Sequence, residues 1–157
     1  MSSACCARLA IVVCCVAVAG CVQAVPGLEE TALTSRAAPF ATMALMPGQA
    51  PRAASVGGSI DGVTPGDGTT VVSGWVPGTA GELLIVTAGG VSAVAQQRYR
   101  RPDAARALGD PGRDELGFTL TLTTSAPLTA VCLLFRATPE SPAVLVGNSD
   151  PTLCPAP

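Results

Sequence analysis

The stretch that decides the fold is Gly117-Phe118-Thr119-Leu120-Thr121-Leu122-Thr123, in which apolar and polar residues alternate without a break. Successive side chains of a β-strand point to opposite faces, so this alternation predicts a half-buried strand. Phe118, Leu120 and Leu122 would face a hydrophobic core, and the threonines would face away from it. The sequence therefore places one wall of the core at residues 117–123.

Further strand signals precede and follow this stretch, with turn signals every 8–12 residues or so. A Gly-Gly pair at 89–90 predicts a hairpin turn between two of these strands, because both positions tolerate positive φ. About seven strands at this spacing indicate an all-β fold, an antiparallel β-sandwich of the immunoglobulin-like kind, in a domain spanning 57–157. The predicted strands are 59–61, 69–76, 82–88, 91–97, 117–123, 129–136 and 143–147.

One short helix is predicted to interrupt the strands at 102–108. Pro102 suits the first turn of a helix, Asp103 complements the positive end of the helix dipole, and Gly109 ends the segment. The chain has one Trp, one Tyr and three Phe, so its core must consist mainly of aliphatic residues. Trp75, on a valine-rich strand, is predicted to be the large residue of that core.

Four short motifs resemble a bacterial immunoglobulin-like module that is appended to glycosyltransferases and to surface-associated proteins. They are Gly58-Ser59-Ile60-Asp61, Gly74-Trp75, Arg101-Pro102-Asp103-Ala104 and Gly117-Phe118, in matching order and spacing over about 65 residues. The segment 76–81 departs from that pattern, because it replaces a longer acidic turn. The resemblance implies a fold and a cell-envelope setting, and it carries over no binding residues.

Residues 21–56 differ in composition from the predicted domain. They hold several Pro and Gly among many Ala, Ser and Thr, and their apolar residues show no sustained period. We predict a flexible tether, whose root-mean-square reach is about 30–35 Å. A short helix at 37–46 that packs on the domain is the alternative.

The first residues of the chain resemble a bacterial lipoprotein signal. Arg8 precedes an apolar run at 9–19, and Val18-Ala19-Gly20-Cys21 resembles a lipobox. The resemblance implies cleavage of the signal peptide 1–20 and lipidation of Cys21, which would anchor an extracytoplasmic protein to the membrane. The alternatives are a secreted protein cut after Ala24 and an uncleaved anchor. The run is shorter than the roughly 20 residues that cross a bilayer.

Cysteine usage fits export. Four of the seven cysteines lie in the predicted signal peptide, and Cys21 would carry the lipid. Cys132 and Cys154 remain as an even pair, which predicts a disulfide in an oxidising compartment. Val131, Leu133 and Phe135 alternate as a core row, so Cys132 is predicted to lie on the opposite face of its strand. Two unpaired thiols are the alternative. A metal site is not expected, since two cysteines without histidine fall short of a zinc ligand set.

Charge and composition exclude several activities. The chain contains no histidine and no lysine, so it cannot form a Ser-His-Asp triad or a lysine Schiff base. Without residues 1–20 its net charge would be −3, which gives no general affinity for nucleic acid. We therefore expect no enzyme and no cofactor. The alternative is a carboxylate-based hydrolase of envelope polysaccharide, with Asp61, Asp67 and Glu82 as candidates.

An arginine cluster is the best candidate for ligand binding. Arg98, Tyr99, Arg100 and Arg101 begin it, and Arg106 and Arg113 extend it. Arginine suits carboxylate or phosphate recognition, and a tyrosine ring can stack on a sugar. Interleaved acidic residues favour the alternative of local ion pairs on a solvated face. The function expected from the sequence is a tethered binding or scaffolding module that engages an envelope protein or a surface glycan.

Overall fold

The structure, a computed structural model, describes residues 36–154 and residue 157. These residues form nine strands and one short helix. The predicted signal peptide, Cys21 and the first part of the predicted tether lie outside them. In chain order the elements are β1 (Ala41–Leu45), β2 (Ala53–Val56), β3 (Ser59–Pro65), β4 (Thr69–Trp75), β5 (Glu82–Val86), β6 (Val91–Tyr99), α1 (Pro102–Ala107), β7 (Gly117–Thr124), β8 (Cys132–Arg136) and β9 (Ala143–Leu145).

The strands form two sheets that pack as a β-sandwich, which confirms the predicted all-β class with one short helix. One sheet has the order β3-β4-β7-β6 and is antiparallel throughout. The other has the order β1-β5-β8-β9-β2, and its two edge strands pair in parallel with their neighbours. The described residues thus form more strands than the seven predicted, and one sheet is mixed.

The core lies between the two sheets. Phe118, Leu120 and Leu122 of β7 are fully buried there, as their alternation predicts. They face Leu133 and Phe135 of the opposite sheet. Burial of a side chain of this size contributes about 1.5–3 kcal/mol, so these rows account for much of the packing free energy.

Trp75 does not occupy this core, so its predicted position was wrong. The inward position at the end of β4 belongs to Gly74, where an added Cβ would collide with the backbone of β3 and press on Phe118. Trp75 therefore points to the outer face of the sheet. There it is half-buried and packs against the small cluster of Ala104, Ala105 and Leu116, which α1 and the start of β7 bring over the sheet.

Residues 40–56 are part of the domain, which corrects the predicted tether and its helical alternative over this range. Phe40 is buried in the core, and β1 and β2 form the two edges of the mixed sheet. The pattern escaped sequence analysis because an edge strand needs little apolar periodicity. All five β1 side chains remain exposed or partly exposed, and the strand is held by its backbone pairing to β5.

The predicted Gly89-Gly90 hairpin is also wrong. The strands on either side of it, β5 and β6, belong to different sheets. Thr87 begins the crossing, where its hydroxyl donates a hydrogen bond to the Gly89 carbonyl. The two glycines therefore carry the chain from one layer of the sandwich to the other.

The predicted disulfide joins Cys132 and Cys154, with their Cα atoms 5.8 Å apart. Cys132 lies on the outer face of β8, opposite Leu133 and Phe135. A second apolar cluster forms there from Leu84, Val86 and Leu134, and the C-terminal segment covers it. The bond fixes that segment on a sheet face that would otherwise meet water. Within the described part of the chain, no helix is long and apolar enough to cross a membrane.

Candidate functional site

The predicted arginine cluster lies at the end of β6 and at the start of α1, and its members divide between the interior and the surface. Arg98 is 5% exposed and points between the sheets. Its guanidinium group donates hydrogen bonds to the backbone carbonyls of four residues, Ala38, Thr79, Glu115 and Gly117. Arg98 is therefore an internal cross-link between four chain segments.

An aromatic ring completes the surroundings of Arg98. Its guanidinium carbon lies 3.7 Å from the centre of the Phe40 ring, which gives a cation–π contact. Phe40 in turn meets Phe135 edge to face, with 5.8 Å between ring centroids. Burial lowers the pKa of Arg98 to about 10, and the nearby Glu115 carboxylate partly counteracts this by raising it. The side chain remains a cation at neutral pH.

Arg101 lies beside α1 with its side chain 12% exposed and bridges two carboxylates. It pairs with Asp61 of β3, and two of its nitrogens meet the two oxygens of Asp103 at 2.9 and 2.7 Å. The hydrogen bonds from Arg101 lower the pKa of Asp103 to about 2. The same bonds raise the pKa of Arg101. The bridge ties the first turn of α1 to the edge strand β3.

Three further members of the cluster also have local partners, and Arg106 lies in the last turn of α1. Arg100 pairs with Asp114, and Arg113 approaches Asp110 at 3.7 Å. Tyr99 lies across Gly117, where a Cβ would collide with its ring, and its hydroxyl donates to the Gly74 carbonyl at 3.1 Å. Burial raises the pKa of Tyr99. This arrangement is the local ion pairing that sequence analysis gave as the alternative to ligand binding.

The four short motifs converge on this corner of the sheet. Asp61 and Asp103 come from two of them and share Arg101, while Tyr99 spans the glycines of the other two, Gly74 and Gly117. Each motif therefore has a structural task here. The ligand-binding role predicted for Arg98, Tyr99, Arg100 and Arg101 stays a hypothesis. Of these residues, Arg98 is buried in the interior.

The candidate acids of a hydrolase lie on different elements of the fold. Asp61 is engaged by Arg101, and Glu82 of β5 accepts a hydrogen bond from Arg136 at 2.6 Å. Asp67 lies in the turn between β3 and β4. Asp61 and Glu82 thus each form an ion pair with an arginine, and they belong to different sheets.

Two adjoining surface depressions, of about 420 and 260 Å³, lie at one end of the sandwich, and sequence analysis did not identify them. They share the loop residues Thr129, Ala130 and Asp150. Hydrogen bonds from the side chain and backbone of Thr152 lower the pKa of Asp150. Within residues 36–154 and 157, no group of three or more acidic or cysteine side chains is placed to hold a metal ion.

The fold and these contacts define a disulfide-linked β-sandwich with a buried arginine. Comparison with protein-family models, with curated proteins and with solved structures found no match to the chain.

Proposed function

We propose that the protein is a lipid-anchored binding or scaffolding module on the extracytoplasmic side of a bacterial membrane. The observation that carries the proposal is the disulfide between Cys132 and Cys154, because such bonds persist in oxidising compartments. The lipobox-like Val18-Ala19-Gly20-Cys21 supplies the anchor. The disulfide and the export signal are independent features of the sequence, and both favour the same location.

The way the charged residues are used supports a non-enzymatic role. We call the surface around Arg100 and Arg101 the candidate face. Both arginines pair with nearby carboxylates there, and Arg98 donates its hydrogen bonds to backbone carbonyls instead. Such pairs order a scaffold, and an arginine is neither a nucleophile nor a proton donor near neutral pH. The partner in this proposal is another envelope protein or a surface glycan.

The anchor is tested by intact-mass analysis of the membrane fraction. We expect residues 1–20 to be absent and a lipid to be attached at Cys21. Substitution Cys21→Ser should release the protein from the membrane, since the acyl anchor is lost. The matched control is Cys15→Ser, which changes a cysteine in the predicted signal peptide and should leave lipidation intact. A protein in the culture supernatant that begins at Val25 would contradict the proposal.

The binding role is tested by crosslinked pull-down from the native envelope, run beside a glycan array. Arg100→Glu reverses a charge on the candidate face, and Arg52→Glu makes the same change beside the opposite sheet. A partner that contacts the candidate face should be lost with the first variant and kept with the second. Equal capture by both variants would show that this face is only a solvated surface. Absence of any partner would contradict the binding role.

A further inference from the structure

The segment that enters the domain, residues 36–40 followed by β1, is bound along the seam between the two sheets. We call residues 36–45 the strap. The backbone N–H of Phe40 donates to the Gln96 side chain at 2.5 Å, and that of Ala41 donates to the Gly81 carbonyl at 3.0 Å. From there β1 runs parallel to β5, with Ala41 opposite Glu82. The strap therefore lies along its groove as an extended peptide lies in a receptor.

A single side chain anchors the strap. Phe40 is 4% exposed between Arg98 and Phe135, whereas Met43 in the same segment is 50% exposed. Arg98 also donates to the Ala38 carbonyl at 3.0 Å. The groove thus recognises an aromatic ring together with the backbone around it. It makes little use of the β1 side chains.

The connection between the strap and β2 is only moderately longer than the distance that it must span. β1 and β2 are the opposite edges of a five-stranded sheet, about 19 Å apart at the usual strand spacing. Residues 46–52 join them, and a fully extended chain of that length reaches about 27 Å. A turn shortens it, because the N–H of Gln49 donates to the Met46 carbonyl at 3.0 Å. Short connections of this kind favour exchange of a terminal element between copies.

We propose that two copies of the chain exchange straps, so that Phe40 of each copy fills the groove of the other. Every contact that holds the strap within one copy is reproduced between copies, and the connection 46–52 extends instead of crossing its own sheet. Such a pair has two-fold symmetry, and the two connections run side by side. That places Met46, which is 51% exposed in a single copy, between the partners.

This inference deepens the proposed function, since it names a second copy as a partner. In the cell it rests on that function, because anchoring to one membrane raises the local concentration of copies. The exchange itself needs no lipid, so it is tested on the unlipidated mature chain carrying Cys21→Ser. Failure there would leave the lipid anchor untouched, and failure of the anchor would leave the exchange untouched.

The test mixes two single-cysteine variants. One copy carries A41C on the strap, and the other carries E82C on β5, the position opposite it. A disulfide between these cysteines requires that the strap of one copy enters the groove of the other. We expect a crosslinked dimer about tenfold more abundant than in a matched mixture of A41C with D67C, which reports random collision. The variant A41C/E82C on one chain establishes that the pair can close.

Variants of the connection decide between exchange and any other dimer. Lengthening the connection in both copies by four glycine and serine residues after Gly48 should reduce the crosslinked dimer several-fold, because each strap then reaches its own groove without strain. Met43→Ala, which changes an exposed strap side chain, should not reduce it. Light scattering gives an independent measure, in which concentrated Cys21→Ser protein should contain a dimer that the same protein with the longer connection lacks. Crosslinking no higher than the D67C control, or unaffected by the longer connection, would overturn the proposal, as would a dimer that survives that insertion.

Discussion

Replacement of Arg98 by methionine should destabilise the domain by about 3 kcal/mol. A hydrogen bond to a charged group contributes about 1.5–3 kcal/mol. Of its four carbonyl partners, only Gly117 is a buried residue, so water can replace the guanidinium at the other three. The Gly117 bond is therefore counted in full and the others in small part. The contact with Phe40 adds about 1 kcal/mol.

The loss stays below the roughly 6 kcal/mol that four such bonds would suggest, because removing Arg98 also relieves the desolvation that lowers its pKa to about 10. Methionine keeps the apolar stem of the side chain, so the substitution tests the guanidinium rather than the packing volume. The matched control is Arg113→Met, whose side chain is 45% exposed and whose pair with Asp110 at 3.7 Å is a surface ion pair. That control should lose at most about 1 kcal/mol.

Urea unfolding followed by the fluorescence of Trp75, the one tryptophan, measures both variants. The strap should respond as well, because Arg98 holds the Ala38 carbonyl and the Phe40 ring. We expect faster chymotryptic cleavage after Phe40 in Arg98→Met than in Arg113→Met. If Arg98→Met lies within 1 kcal/mol of the wild type, or if both variants lose the same stability, the assignment of Arg98 as an internal cross-link is refuted.

Three further predictions use the same unfolding assay. Gly74→Ala should cost about 3 kcal/mol or more, since its Cβ meets the β3 backbone, whereas Gly90→Ala, with nothing within 4 Å, should be near neutral. Equal effects would refute the packing argument. Replacing both Cys132 and Cys154 by alanine should cost about 3 kcal/mol, the entropy of a closed loop with a sequence separation of 22. An unchanged midpoint would contradict this estimate. Asp103→Asn should flatten the stability profile between pH 3.8 and about 2. The pKa of Asp103 is lowered in the folded state, so its contribution is present above pH 3.8 and is lost as the pH falls to about 2. The effect should stay below about 1 kcal/mol, because the side chain is 56% exposed, and identical acid profiles would refute it.

The parts of the fold that follow from the alternation of apolar and polar residues along a strand could be predicted from the sequence. The alternation at Phe118, Leu120 and Leu122 predicted the inner face of β7. The same pattern at Val131, Leu133 and Phe135 predicted that Cys132 lies on the outer face of β8. Both predictions are confirmed because a strand in a two-layer protein must bury one parity of its side chains. The helix at 102–108 could be predicted equally well, because its proline, acidic first turn and terminal glycine are local signals.

Features that depend on which strands pair with one another could not be predicted from the sequence. β1 has almost no buried side chain, so its sequence shows no periodicity, and only the position of the β5 edge makes it a strand. The glycines at 89–90 are compatible with a hairpin, but which sheet receives the next strand is a property of the whole topology. Trp75 was misplaced for a related reason, because the room inside β4 is set by Phe118 on the neighbouring strand.

The position of Arg98 could not be predicted, because a single irregularity in β6 changes which side chains of that strand face the core. Counted by strict alternation from Val91, which packs on the core, the inward positions of β6 would be 93, 95, 97 and 99, and Arg98 would face solvent beside a candidate ligand. The register instead shifts between Val91 and Ala93, and this bulge reverses the parity of every later residue. Val94 then packs on the core and Arg98 lies opposite Phe118. The bulge thus turns an arginine of an apparent surface cluster into the residue that binds the strap.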